Sequence, residues 1–191
     1  MRTWILGLIA AALVATSGIG AKNDTGVTDA LDYLWITSMG RVEETPLEVA
    51  ERQRLRYRVW DMLCFDLRDI DCSGIPVPKI AKFKPNPFNP GIAGYYQGGD
   101  TVFVRDNLKG AARDEVVAHE MSHYLDVMVL GTQVPGPARE ICFSEKRAWA
   151  VSDAFWIRQG YSKTHPKIIG SSWADWYRHC TPFKAEMYPN G

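Results

Sequence analysis

The spacing of hydrophobic residues predicts a mostly helical chain with one short β-hairpin. Apolar residues that recur every three or four positions predict helices over five segments: 28–38, 46–67, 107–130, 137–159 and 171–180. Ile92–Tyr96 and Thr101–Val104 are apolar runs on either side of a Gly-Gly turn, which predicts the hairpin. Residues 73–91 contain five prolines and two glycines and are expected to be loop or extended. The predicted fold class is therefore α+β and mostly helical, with Asp106 or Asn107 capping the third helix.

The first 21 residues have the layout of a secretory signal peptide. Arg2 is followed by the apolar run Trp4–Ala15 and then by small residues up to Ala21. The uncharged stretch over residues 3–21 is also long enough to span a bilayer, so an uncleaved membrane anchor is the alternative. We therefore expect a secreted or periplasmic protein that contacts a membrane only through this segment.

Composition favours one globular domain over residues 22–191. Hydrophobic residues make up 46% of the chain and charged residues 23%, which is an ordinary globular mixture. The 22 basic residues balance the 22 acidic ones, whereas proteins that mainly bind nucleic acids usually carry a basic surface. No nucleic-acid partner is therefore expected.

The four cysteines are expected to form two disulfides, because an exported chain folds in an oxidising compartment. Three pairings are possible, and the favoured one joins Cys64 to Cys72 and Cys142 to Cys180. A zinc ribbon is the competing interpretation, but it requires CxxC-like pairs that this sequence lacks.

Residues 119–123 read HEMSH, an HExxH motif inside the third predicted helix. Residues four apart lie on one face of a helix, so His119 and His123 can reach the same metal ion. Glu120 would lie beside that ion, where it can take a proton from the attacking water and pass it to the leaving amine. Two imidazoles and one carboxylate suit zinc, so one zinc ion per chain is expected.

The third ligand is expected from the next helix, because Asp126 and Val129 replace the glycine and the third histidine of an HExxHxxGxxH motif. Two helices joined by a short loop pack antiparallel, so residues equally far from the loop face each other. Glu145 is as far from the loop as His123 and is therefore favoured. The acids compared on this helix are Glu140, Glu145 and Asp153.

Asp126 shares the helix face of both histidines, one turn after His123. It is not expected to bind the metal, because His119 and Asp126 lie about 10 Å apart along the helix axis. Asp126 is expected behind the ligands, accepting a hydrogen bond from a ligand imidazole. The alternative is a solvated acid near the helix end.

Two further features bear on a substrate. Either Ile92–Tyr96 or Thr101–Val104 could be an edge strand that pairs with a peptide backbone, although the hairpin could also only pack on the helices. Five side chains are candidates for polarising a scissile carbonyl: Tyr124, Tyr161, His165, Tyr177 and His179.

Two stretches, HEMSHYLD over residues 119–126 and CFSEKRA over 142–148, resemble the zincin family typified by the mitochondrial inner-membrane protease that processes an ATP synthase subunit. The stretch GIAGYYQGGDTVFVRDNL is similar to the hairpin before that family's active-site helix. The likeness extends over about residues 90–155. It implies a gluzincin-like core in which a β-hairpin precedes the HExxH helix and an antiparallel second helix carries the glutamate ligand. The implied roles are ligation by His119, His123 and Glu145 and general-base catalysis by Glu120.

The resemblance has departures that limit what it implies. Asp153-Ala154-Phe155 stands where that family tends to have a further cysteine, so its cysteine framework is not reproduced. The processing role is therefore not carried over. The chain is expected to be a related but distinct small zinc peptidase, with a helical N-terminal part over residues 28–68 and a catalytic core over 90–160.

The expected function is hydrolysis of peptide bonds in a peptide or protein substrate by an exported zinc metallopeptidase. One alternative is a non-catalytic exported protein of the same fold that binds a peptide or protein partner. The other is a metal-dependent amidase that acts on a cell-wall linkage.

Overall fold

The computed structural model describes residues 25–87, 89–134, 136–161 and 180–189. The chain divides into two compact units, Met1–Leu31 and Asp32–Gly191, and, apart from the helix that begins at Thr25 in the first unit, the elements described below belong to the second. Several predictions lie outside the described residues: the signal peptide, almost all of the helix over 171–180, and the candidates His165, Tyr177 and His179.

The described residues are mostly helical and include one small sheet, so the predicted α+β class is confirmed. The α-helices are α1 (Thr25–Leu34), α2 (Pro46–Asp61), α3 (Gly110–Leu130), α4 (Ala138–Arg158) and α5 (Lys184–Met187). π-helical turns extend α1 over Trp35–Met39 and α2 over Met62–Leu67, and a 3-10 turn over Thr181–Phe183 precedes α5.

The sheet contains β1 (Lys79–Phe83), β2 (Gly94–Tyr95) and β3 (Thr101–Arg105) in the order β1-β3-β2. The predicted hairpin is present, because β2 runs antiparallel to β3 with Gly94 opposite Val104. β1 lies within the segment that was expected to be loop or extended, and it pairs in parallel with β3. This strand was not predicted because it has only five residues and prolines stand on both sides of it.

Helix α3 begins later than the sequence suggests. Asp106 and Asn107 do not cap it, so that prediction is wrong. Asp106 instead closes a turn, with its N–H donating to the Phe83 carbonyl over 2.9 Å, and Lys109 is the N-cap residue. The helix ends as predicted at Gly131, whose φ of 66° is the left-handed conformation that glycine adopts readily.

The hydrophobic core is formed by α2, the sheet and α3. Leu55 and Val59 of α2, Val102 and Val104 of β3, and Val117 of α3 are all buried in it. Helix α3 differs from an ordinary surface helix because every residue from Asp114 to Asp126 is buried. Buried polar groups are stable only when they are hydrogen-bonded, paired or bound to a metal. The polar residues of α3 therefore define the part of the molecule where a functional site is expected.

Two disulfides join Cys64 to Cys72 and Cys142 to Cys180, which is the favoured pairing. The first ties the π-helical turn after α2 to the segment before β1, and the second ties α4 to the residues that precede α5. Disulfides indicate an extracellular or otherwise oxidising compartment. Among the described residues, no helix has the length and hydrophobicity required to cross a membrane.

Candidate metal centre

Helices α3 and α4 bring His119, His123 and Glu145 together in one buried group that could hold a metal ion. The helices are antiparallel, since His119 contacts Ser152 near the end of α4 while His123 contacts Ser144 nearer its beginning. Ala148 is completely buried and has only a methyl side chain, so the two helices can approach closely at this level.

Each histidine faces a different oxygen of the Glu145 carboxylate. His119 Nε2 lies 3.5 Å from Glu145 Oε2, and His123 Nε2 lies 3.4 Å from Glu145 Oε1. A direct charge-assisted hydrogen bond between the groups would be shorter, about 2.7–2.9 Å. One ligand atom from each residue lies within 4.8 Å of the other two, and two imidazoles with one carboxylate are a donor set that could hold a divalent metal ion.

The electrostatics of Glu145 agree with a ligand role. Burial alone would raise the pKa of this carboxyl, but the two imidazoles outweigh burial and hold its pKa well below the usual range. Glu145 is therefore ionised at neutral pH. Its side chain is only 13% exposed, so Glu145 is not an ordinary surface acid.

Glu120 lies beside the ligands and is also buried. Burial is the main cause that raises its pKa to about 8, while His119 opposes this shift and the acidic Glu145 and Glu115 add to it. A group whose pKa is near neutral can both accept and return a proton at physiological pH. The arrangement thus places a proton-transfer group directly next to the candidate metal ligands.

Gly94 of β2 lies against Glu120. A Cβ atom added at Gly94 would be 2.5 Å from Glu120 Oε1 and 2.6 Å from Val116 Cγ1, closer than real Cβ contacts allow. Only glycine therefore lets the β2 backbone approach the acid this closely. Because β2 is an outer strand of the sheet, its contact with Glu120 also places this edge of the sheet beside the site.

Two serines of α4 fix the orientation of the histidine rings. Ser144 Oγ lies 2.8 Å from His123 Nδ1 and donates its own proton to Asp126 Oδ2 over 2.7 Å. Because the serine proton is used in this way, Ser144 must accept a hydrogen bond from His123 Nδ1–H. In the neutral ring, the unprotonated nitrogen is then His123 Nε2, which is directed toward Glu145. We call His123, Ser144 and Asp126 the His123 arm.

The second ring is held in a similar way. Ser152 Oγ lies 3.1 Å from His119 Nδ1 and donates to the Ala148 carbonyl over 3.3 Å. Ser152 therefore also accepts from the imidazole, which leaves His119 Nε2 free to bind a metal. Trp149 packs edge-on against the same ring, with centroids 5.0 Å apart. We call His119, Ser152 and their neighbour Glu115 the His119 arm.

Asp126 lies behind the ligands, but the Ser144 hydroxyl lies between it and the His123 imidazole, where a direct hydrogen bond was expected. It accepts a hydrogen bond from Ser144, rather than directly from an imidazole nitrogen. Two arginines complete its surroundings, with Arg147 Nε 2.9 Å and Arg68 Nη2 3.2 Å from the carboxylate. Asp126 is 1% exposed, so the alternative of a solvated acid is wrong.

The strand next to the site is β2, within Ile92–Tyr96. The other candidate for a free edge, Thr101–Val104, is wrong because β3 is the central strand and pairs on both sides.

Two of the five candidates for polarising a scissile carbonyl, Tyr124 and Tyr161, lie among the described residues. The position of neither one supports that role. The Tyr124 hydroxyl donates to the Pro76 carbonyl over 2.8 Å. Tyr161 lies beyond Arg158, the last residue of α4, which is about 20 Å along the helix axis from Glu145 at 1.5 Å per residue.

Sequence reasoning missed the two serines and Arg68. Ser152 is seven residues after Glu145, close to two helical turns, and Ser144 directly precedes Glu145. The first spacing was a usable signal, since it places the Ser152 hydroxyl on the helix face that carries the ligand. Arg68 offered no comparable signal, because it reaches Asp126 from a separate part of the chain.

Comparison of the chain with protein-family models, with curated proteins and with solved structures finds no match.

Proposed function

We propose that this chain is an exported zinc metallopeptidase with a zincin-like core, in which His119, His123 and Glu145 hold one zinc ion. The observation that carries the proposal is the convergence of these three side chains, whose ligand atoms lie within 4.8 Å of one another, with the buried acid Glu120 beside them. Two nitrogens and one carboxylate oxygen leave a fourth position for water or substrate, which is the composition of catalytic rather than structural zinc sites.

The arrangement of elements supports a zincin-like core. A hairpin (β2 and β3) precedes the helix that carries HEMSH, and the next helix runs antiparallel to it and carries Glu145. This order agrees with the resemblance of HEMSHYLD and CFSEKRA to the family of the ATP-synthase-processing mitochondrial protease. The two disulfides support export to an oxidising compartment.

The residues around the site have separate roles in the proposed hydrolysis. When bound, zinc supplies Lewis-acid activation of water and of the scissile carbonyl. Glu120 takes the proton from the attacking water and returns it to the leaving amine nitrogen. Ser144 and Ser152 keep the imidazole Nε2 atoms unprotonated, as ligation requires.

Strand β2 is suited to orient a peptide. Among the described residues, no strand pairs with its outer edge, and Gly94 brings this backbone against Glu120. An extended substrate that adds to this edge would place its backbone next to the base. We propose peptide or protein chains as the substrate class for this reason.

Metal content and two substitutions test the proposal together. The full chain, expressed through an oxidising compartment, should contain about one zinc ion, and Glu145→Ala should lose it because two imidazoles alone make a weak site. Glu120→Gln should retain zinc but lose about 100- to 10,000-fold of activity on mixed peptides, since only proton transfer is removed. Asp153→Asn, which changes an acid of α4 that is not a ligand, is the matched control and should leave both properties unchanged.

The outcomes separate the three candidate functions. Equal activity of wild type and Glu120→Gln, or zinc-bound protein that is inert on peptides, would contradict a peptidase. Inert, zinc-bound protein that captures peptides would favour the non-catalytic binding protein. Cleavage of a cell-wall amide but not of peptides would favour the amidase.

A further inference from the structure

Glu115 is a fully buried acid that peptide hydrolysis as proposed above does not use. It is 0% exposed, and neither carboxylate oxygen has a hydrogen-bond partner among the described residues. A buried acid without a partner reduces the free energy of unfolding, because its desolvation is not compensated. Its presence one helical turn before His119 therefore calls for a functional explanation.

The groups around Glu115 connect it to the His119 arm. Burial raises the pKa of this carboxyl, His119 and the Ser152 hydroxyl lower it, and Asp153 raises it. None of these neighbours is a lysine or an arginine. The Ser152 hydroxyl has one described acceptor, the Ala148 carbonyl, at the long distance of 3.3 Å. The Glu115 carboxyl is the second acceptor that this hydroxyl can reach.

The His123 arm has the same order of groups. There the acid Asp126 accepts a hydrogen bond from the Ser144 hydroxyl, and Ser144 accepts a hydrogen bond from the imidazole. In both arms the serine comes from α4 and the acid from α3, four residues before His119 or three residues after His123. Spacings of three and four residues place each acid on the helix face of its histidine.

We propose that Glu115 is a positioning residue for His119 that acts through Ser152. The carboxyl accepts a hydrogen bond from the Ser152 hydroxyl, which directs the serine lone pair toward His119 Nδ1–H and leaves Nε2 free for the metal. This inference rests on the proposed metal site. An acid behind a ligand imidazole also increases the basicity of that imidazole, so the metal affinity should depend on Glu115.

Two substitutions of Glu115 provide the test. Glu115→Met removes the acceptor and the buried acid at similar side-chain length, whereas Glu115→Gln keeps an acceptor oxygen. We expect Glu115→Met to bind zinc about tenfold more weakly and Glu115→Gln to recover most of this loss. Zinc affinity is measured by competition with a chromophoric chelator. Asp153→Asn removes a nearby charge without removing the acceptor and should stay within about twofold of wild type.

Two further measurements distinguish positioning from a merely structural role. In metal-free Glu115→Met, the ring nitrogen chemical shifts of His119 should move toward a mixture of tautomers while those of His123 stay unchanged. The midpoint of thermal unfolding should stay equal or rise, because the acid that is removed is buried without an ion pair to any described residue. A structural residue would instead lower both stability and affinity.

Ser152→Ala completes the test, because it removes one oxygen and leaves Glu115 in place. It should weaken zinc binding about 10- to 100-fold, and Ser152→Ala combined with Glu115→Met should be no weaker than Ser152→Ala alone. Wild-type zinc affinity and unchanged His119 shifts in Glu115→Met would overturn the proposal. If Glu115→Met does not fold, unchanged His119 shifts in Ser152→Ala would overturn it.

The readouts separate this proposal from the proposed function. A wild type that binds zinc but cleaves no peptide contradicts the peptidase only, and zinc affinity still tests Glu115. A wild type that binds no zinc contradicts the metal site, and the ring shifts of the metal-free protein still decide whether Glu115 positions His119.

Discussion

The two arms of the candidate metal centre orient their histidines in the same way but differ in how their acids are held. In the His123 arm, Asp126 forms ion pairs with two arginines. In the His119 arm, Glu115 is fully buried without a hydrogen bond to any described residue. An acid in ion pairs with arginines can hold elements of the fold together as well as support a ligand, whereas an acid without an ion pair contributes mainly to the support of the ligand. The comparison therefore separates groups that stabilise the fold from groups retained for the site.

The largest expected effect is on folding, when Asp126 is removed. Asp126→Ala leaves Arg68 and Arg147 facing each other without their shared carboxylate, which should lower the free energy of unfolding by about 3–5 kcal/mol. Glu115→Met should not lower it at all. Denaturant unfolding of the two metal-free variants measures the difference. If both substitutions cost the same, the proposed distinction between the arms is wrong.

A smaller effect is expected from the disulfide beside the His123 arm. Cys64 and Cys72 are eight residues apart, and closing a loop of this size contributes about 2–3 kcal/mol. Arg68 lies inside that loop, so replacing both cysteines by alanine should also loosen the support of Asp126. Zinc affinity should fall, and the ring nitrogen shifts of His123 should change. Changes in the shifts of His119 of similar size would contradict this selectivity.

The smallest expected effect on folding comes from Ser144. Ser144→Ala should weaken zinc binding about 10- to 100-fold, as Ser152→Ala does, because each removes one imidazole support. It should cost far less stability than Asp126→Ala, since Asp126 keeps both arginines. Chelator competition and denaturant unfolding of the two serine variants give the comparison. Unequal zinc losses would mean that the two histidines do not contribute equally to the site.

The sequence was sufficient to predict the metal-ligand group because its geometry is local. Helix periodicity places His119 and His123 on one face, and the length of the loop determines which residue of α4 faces them. The same reasoning placed Glu145 there, and its distances to both imidazoles agree. The hairpin was also predictable, because two apolar runs on either side of a Gly-Gly turn are signals within one short segment.

The remaining features depend on contacts between distant segments. β1 is short, and it forms a strand only because it pairs in parallel with β3. Arg68 is 58 residues from Asp126, and no periodicity relates the two positions. The burial of Glu115 could not be inferred either, because an acid next to a helical apolar stripe usually faces water.

The serines and acids that support the histidines occur at fixed spacings. The site can therefore be written as a sequence pattern and searched for in other sequences. On α3 the pattern is E-x3-H-E-x2-H-x2-D over residues 115–126, and on α4 it is S-E-x-R-x4-S over 144–152. Nine fixed positions on two adjacent helices are far more selective than HExxH. A chain that keeps this signature would encode the orientation of both imidazoles as well as the ligands, and a chain that keeps only HExxH and a later glutamate would not.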